Sequence, residues 1–294
     1  MATLAYNAEG LRVEAEGALR LARVDPALVR AMVVPGWPPL GADAETAGIA
    51  QLALGVAMAE LHELTDARHH LERARDFFRD AGRRERLVEA QTSLALLLLN
   101  AGEFDAALAE LVQGDAQAPQ GAAAARIEHQ RAIAYQRLGR PDEALESYRR
   151  SLAAMRRAGD RLNEARLLSN RALLHAYGGR FGVAKAELRR SARLYRQLDR
   201  RLEAAYVAHN MGFVAAREGD LPAALQAYEE AARSMAELDA VHPAAVLDYC
   251  ETLLRANLVA EAHEVGREAV GRLERAGMET DLAEARVLLA EVAM

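Results

Sequence analysis

Small residues recur in this chain at intervals near forty, and that column limits the folds open to it. Gly55, Ala95, Ala132, Ala172, Gly212, Cys250 and Ala290 stand at steps of 40, 37, 40, 40, 38 and 40 residues. Seven residues after four of them comes a glycine: Gly102, Gly139, Gly179 or Gly219. Five further on lies Ala107, Ala144, Ala184 or Ala224, and four beyond that Leu111, Tyr148, Leu188 or Tyr228. Ala67 with Leu71 fits the same slots earlier, and Ala262 fits later. In the last full unit Asn257 replaces the glycine and Gly266 the large residue. A fixed period of this length marks a stack of supersecondary units, none of which buries its apolar face alone.

The columns have a physical reading. Two antiparallel helices per unit approach closely only where small side chains meet at the crossing. Glycine suits the tight turn between them because it adopts positive φ without steric cost. Pro141 and Pro222, just past that turn, suit the first turn of a helix. The pattern predicts first helices near 45–62, 84–101, 121–138, 161–178, 201–218, 243–256 and 280–294. Second helices are predicted near 65–81, 103–114, 141–158, 181–199, 221–238 and 259–276. Domain organisation follows: residues 45–294 form an array of six helix pairs plus an unpaired final helix. Residues 1–44 form an N-terminal helical segment, with a helix from Asn7 to Val24 and a short one over 27–34. Pro38 and Pro39 then make Val33–Gly41 a loop, expected to seat the only tryptophan, Trp37, on the first repeat.

Composition agrees with an all-α chain. Of 294 residues, 5% are aromatic and three are isoleucine, too few β-formers for a sheet protein. Lys+Arg number 37 against 43 Asp+Glu, so the formal charge of -6 gives no general reason to expect nucleic acid as partner. Leu94–Leu99, the longest strongly apolar run, is far short of a membrane span, and charges come too early for a secretory signal. A single cysteine excludes an internal disulfide framework. The location expected is cytoplasmic.

The small–Tyr–Gly–Ala–Tyr–small pattern resembles tetratricopeptide repeats in a long-helix variety near forty residues. The resemblance covers 45–294 and is clearest at 121–158, 161–199 and 201–238. It implies a right-handed α-solenoid that binds protein or peptide. More narrowly, NRALLHAY from Asn170 and HNMGFVA from His209 resemble the N-terminal arrays of actinobacterial CHAT-domain proteins, in which such repeats precede a caspase-like protease domain. That likeness implies a regulatory or sensing array of a larger protease system. The alternative is the peptide-sensing repeat domain of a bacterial transcriptional regulator.

No motif points to an enzyme. Cys250 falls in the small-residue column, where a thiol acts as a small buried side chain, with no base or helix N-terminus to activate it. In HELTD, Asp66 stands where a zincin needs its second histidine, and the adjacent His69 and His70 point to different sides of a helix. Glycine-rich phosphate loops are absent. Neither a metal nor a cofactor is expected.

The resemblance also implies a ligand-binding groove. In tetratricopeptide proteins, contacts come from positions three and two before the small residue and one, four and five after it. The third unit places His129, Gln130, Ile133, Gln136 and Arg137 there. The fourth places Ser169, Asn170, Leu173, Ala176 and Tyr177, and the fifth His209, Asn210, Phe213, Ala216 and Arg217. Six before the small residue stand Arg126, Arg166 and Tyr206. The arginines favour an acidic or carboxylate-bearing partner. The amides of Asn170 and Asn210 suit a peptide backbone, because an amide donates and accepts together. A second surface, Arg189, Arg193, Arg196 and Arg200, shares one helical face and is expected to be chiefly solvated. The final helix carries Val287, Leu288, Leu289 and Val292, which cannot all face one neighbour. That end is therefore expected to be covered by a C-terminal domain, a second copy or a partner.

Overall fold

The computed structural model describes residues 8–32, 42–115, 122–238, 240, 242–276 and 279–292. Among them are fifteen α-helices and no strand. The chain divides into two compact units, residues 1–158 and 159–294. The first contains α1 (Ala8–Leu21), α2 (Pro26–Ala31) and three helix pairs. These are α3 (Ala44–Glu60) with α4 (Leu64–Asp80), α5 (Arg84–Asn100) with α6 (Phe104–Asp115), and α7 (Ala122–Arg137) with α8 (Pro141–Ala158). The second contains α9 (Arg161–Tyr177) with α10 (Phe181–Gln197), and α11 (Arg201–Glu218) with α12 (Leu221–Glu237). There follow α13 (Pro243–Arg255) with α14 (Val259–Ala276), then α15 (Glu279–Val292). Trp37 and its loop lie outside the described residues.

First and second helices bury different amounts of themselves, and composition is the cause. In α3 every residue from Thr46 to Met58 is buried, because the helix meets α4, α5, α1 and α2 around its circumference. In α4 only Ala67, Leu71, Ala74 and Phe78 are buried, one stripe at offsets of four, three and four. The other second helices repeat that stripe, as in Ala184, Leu188, Ser191 and Tyr195 of α10. In the first unit Ala15 and Ala18 of α1, Ala22 just after it and Val29 of α2 join the same core as α3 to α7.

Each crossing joins a small residue to the residue sixteen further on. A β-carbon on Gly55 would lie 2.6 Å from Cγ of Leu71, so only glycine leaves room there. In α13 the sizes are shared differently. Cys250 faces Gly266, and Leu289 of α15 reaches the space the missing large side chain would fill. Burial pushes the Cys250 thiol up to about 11, and it donates to the carbonyl of Ala262 at 3.7 Å.

A left-handed turn residue closes the first helix of each pair. Gly102, Gly139, Gly179 and Gly219 have φ between 69° and 92°, and the following N–H of Glu103 returns to the carbonyl of Leu98 at 2.9 Å. His62 and Asn257 hold the same conformation, with φ of 60° and 59°. His62 is thus a turn residue of the first pair. A second set of such turns, at Gly82, Gly159 and Asp199, joins successive pairs. Among the described residues no group of three or more His, Cys, Asp and Glu side chains could hold a metal ion. No described helix is long and apolar enough to cross a membrane.

Candidate functional site

The groove columns can be followed in each unit by itself. In the first unit an open cleft of about 670 Å³ is lined by Val56, Ala59 and Glu60 of α3 and by Ser93, Leu96, Leu99 and Asn100 of α5. Relative to Gly55 and Ala95 these are positions one, four and five after the small residue, with Ser93 two before it. Arg137, five after Ala132, also lines the cleft, as do Arg23 and His62. The cleft is also lined by Leu64, Leu71, Leu97, Gly102 and Phe104, and it lies in two repeats for which the sequence reading named no contacts. The same offsets applied to Gly55 and Ala95 give Val56, Ala59, Glu60, Leu96, Leu99 and Asn100 of this lining.

The remaining residues of α7 are less open. Arg126 is exposed, while His129 and Gln130 are half-buried. His129 packs against the Tyr148 ring at 6.1 Å, and Oε1 of Gln130 is buried with no hydrogen-bond partner. The Tyr148 hydroxyl donates to Oε1 of Gln136 at 3.2 Å.

In the second unit the expected contact residues separate into two groups. Tyr177, Phe213 and Arg217 form an accessible cluster. The two rings are 5.6 Å apart, and the Arg217 guanidinium lies 4.9 Å from the Tyr177 ring centre and 5.7 Å from that of Phe213. Tyr177 is 58% exposed, an apolar and cationic surface available to a partner. Leu173 lies half-buried on α9, and the residue at its offset on α11 is Phe213.

The other group is occupied by the fold. His209 is 7% exposed, with Nε2 at 2.9 Å from Oδ2 of Asp248 and its ring 5.3 Å from that of Tyr228. It is a buried link between α11 and α13 and does not present its ring as groove surface. Asp248, which holds it, was not foreseen, because it lies 39 residues away on the next first helix. Asn210 Nδ2 donates to Ser169 Oγ at 3.0 Å, joining α11 to α9. Arg166 donates to Asn163 Oδ1 at 3.3 Å and to the Tyr195 phenol. Tyr206 packs against His242 with ring centres 4.9 Å apart and planes tilted by 59°, and Asn170 is half-buried with interactions of its own. Ser169, His209 and Asn210, three and two before the small residue, thus serve inter-helix bonds; Ala176 and Ala216, four after it, are buried in the core, and Tyr177 and Arg217, five after it, remain open.

The outer arginines behave as expected. Arg189, Arg193 and Arg196 are exposed, opposite the buried stripe of α10, whereas Arg200, also exposed, lies beyond that helix as the N-cap of α11 and pairs with Glu203 at 2.7 Å. On α15, Ala285 is buried, Leu289 reaches Gly266 and Val287 is 60% exposed. The side chain of Leu288 lies outside the described residues, as does that of Val292.

Stacked antiparallel pairs of this length, with a constant crossing register, define an all-α solenoid of the tetratricopeptide type. Residues 123–197, which span α7 to α10, match the tetratricopeptide repeat family. No curated protein sequence matches the chain significantly. Among solved structures the chain is similar to BtubC (BKLC) from P. vanneervenii, at 18% identity over 83% of this chain and 95% of that one, with a TM-score of 0.60. It is also similar to NprR in complex with its cognate peptide NprX, at 13% identity, 95% and 82% coverage and a TM-score of 0.64. A Rap protein complexed with competence and sporulation factor gives 13% identity, 100% and 87% coverage and a TM-score of 0.62. Identities this low establish the shared fold alone.

Proposed function

We propose that this chain is a non-catalytic array that binds a peptide or an extended protein segment along its first-helix columns. The observation that carries the reading is the cleft of the first unit, where residues one, four and five after the small residue line one concavity of about 670 Å³. Clefts of this size with apolar walls and a few polar groups are the usual form of a binding site. Arg23 and Arg137 against the single carboxylate of Glu60 favour an acidic or carboxylate-bearing ligand. In the second unit, Tyr177, Phe213 and Arg217 occupy the same offsets and supply an aromatic and cationic contact of the kind that dominates interface energetics.

Of the similar folds, NprR is complexed with its cognate peptide NprX, which supports a peptide as ligand, and a Rap protein is complexed with competence and sporulation factor. It also favours a peptide-sensing regulator as the second reading. The narrower assignment, the regulatory array of a caspase-like CHAT system in the cytoplasm, rests on the NRALLHAY and HNMGFVA motifs.

Selection of peptides from a displayed library against the full chain tests the proposal. The selected sequences should be enriched in Asp and Glu. Their affinity should fall about tenfold in Arg137→Ala, a change of about 1.4 kcal/mol. Selection of no peptide, or affinity unchanged in both Arg137→Ala and Phe213→Ala, would overturn it.

A further inference from the structure

In the second unit a cavity of about 300 Å³ opens between α12, α13 and α14. Its origin is a shortened helix. The helices α3, α5, α9 and α11 each begin eleven residues before their small residue, whereas α13 begins at Pro243, seven before Cys250. Proline at the first helical position sets the start there, with His242 as N-cap: its Nδ1 accepts from the Ala245 N–H at 3.2 Å. One helical turn is therefore missing beside α12. Ala240, His242, Ala245 and Val246, from the connection and the new first turn, line the cavity instead.

We infer that this cavity is a socket for one apolar side chain of a peptide segment, which goes beyond the first-helix reading and does not rest on it. The walls are Ala231, Ala232, Met235 and Ala236 of α12, Val246 of α13 and Ala269 of α14. The polar groups beside them have partners within the fold. His209 is held by Asp248, and the Tyr228 phenol bonds to Thr252. A cavity with apolar walls and satisfied polar groups holds water poorly and gains from an apolar occupant. Its volume stands at the lower limit of ligand sites, too small for a cofactor. Met235 adds an adaptable wall.

The lining residues on either side say what carries that side chain. Glu229 pairs with Arg233 at 3.3 Å on α12, and Glu268 with Arg272 at 3.8 Å on α14. All four border the cavity. Both carboxylates are well exposed, at 64% and 70%, so each retains acceptor capacity. A peptide backbone offers N–H donors to carboxylates and C=O acceptors to guanidinium groups, on both sides of an inserted side chain. A free hydrocarbon would use only the walls.

The test uses the full chain with methyl-labelled methionine, the Met235 resonance being assigned with Met235→Leu. N-acetyl-phenylalaninamide and N-acetyl-leucinamide should shift that resonance saturably, and N-acetyl-lysinamide should not. Ala232→Phe, at an exposed helix position, should fill the cavity and weaken the response by about tenfold or more while helicity is retained. Glu268→Gln should weaken the amides by about threefold and leave toluene unaffected. The same loss from Ala236→Phe would secure the result against misfolding of one variant. No Met235 response to either apolar amide would overturn the proposal. So would equal amide affinity in Glu268→Gln, which would mark a site for free apolar molecules. A shift that follows protein concentration alone would mark a contact between copies and overturn it as well.

Discussion

A β-carbon placed on Gly212 would lie 2.7 Å from Cδ1 of Tyr228, closer than carbon atoms approach in folded proteins. The tyrosine ring occupies the volume an alanine would need, and it is 2% exposed. Ala132 and Ala172 stand in the same column against Tyr148 and Leu188, so the local approach of the two helices differs between pairs. The sixteen-residue spacing stays constant while the size of the small residue adjusts to its partner.

Gly212→Ala should therefore destabilise the chain by about 1–3 kcal/mol through overpacking, despite the gain in helix propensity. Chemical denaturation of the variant beside the unaltered chain measures this. A stabilised variant would show that the pair relaxes apart at little cost.

His62 provides a test of the opposite sign. At φ 60° its side chain is strained in a turn where four other pairs use glycine. His62→Gly should raise stability by roughly 1 kcal/mol, the cost of a left-handed conformation for a residue with a β-carbon. Gly102→Ala should lower it for the same reason. A His62→Gly loss would assign the imidazole a role in the cleft that its turn position does not require.

Cys250 sets a pH dependence. Its thiol is raised from 9.0 to about 11 by burial, so the folded state disfavours the thiolate. The stability linked to this group is fully present below pH 9. It is lost as pH rises between 9 and about 11, since the unfolded chain releases the proton first. Denaturation midpoints of the unaltered chain should thus fall across that window more than those of Cys250→Ala. A thiol reagent at neutral pH should label the native chain only as fast as it opens.

Two buried polar contacts should differ in weight. Ser191 Oγ donates to the Ala165 carbonyl at 2.7 Å, but the matching position of the next pair is Ala231, which is buried without a hydroxyl. Ser191→Ala should cost about 0.5–1.5 kcal/mol. Arg171 grips Glu187 in a two-pronged ion pair whose side chains are 18% and 12% exposed. Arg171→Ala leaves that carboxylate unpaired and should cost about 1–3 kcal/mol. Thermal unfolding of the two variants ranks them.

The accessible cluster of the second unit gives the fifth expectation. Phe213→Ala and Arg217→Ala should each weaken capture of a selected peptide by about 1–3 kcal/mol with helicity unchanged. Arg217→Ala should also flatten the salt dependence, because it removes an exposed charge. Asn210→Ala should instead lower stability, since its amide bonds to Ser169 across two helices. Unchanged capture in both Phe213→Ala and Arg217→Ala would move the contact away from this face.

The amino-acid sequence by itself determined the helix pairs, their turns and their crossing register. Those features are local or strictly periodic: a small residue, a left-handed turn seven later, a large residue sixteen later. Tertiary structure alone decided which groove columns remain open. His209 and Asn210 have the right offsets, yet Asp248 and Ser169 on neighbouring first helices engage them, at separations of 39 and 41 residues. Whether a polar side chain meets such a partner depends on rotamers and helix spacing, which periodicity does not encode. The cavity beside α12 arises in the same way. Pro243 is visible in the chain, but the space left by one missing turn exists only where three helices have packed around it.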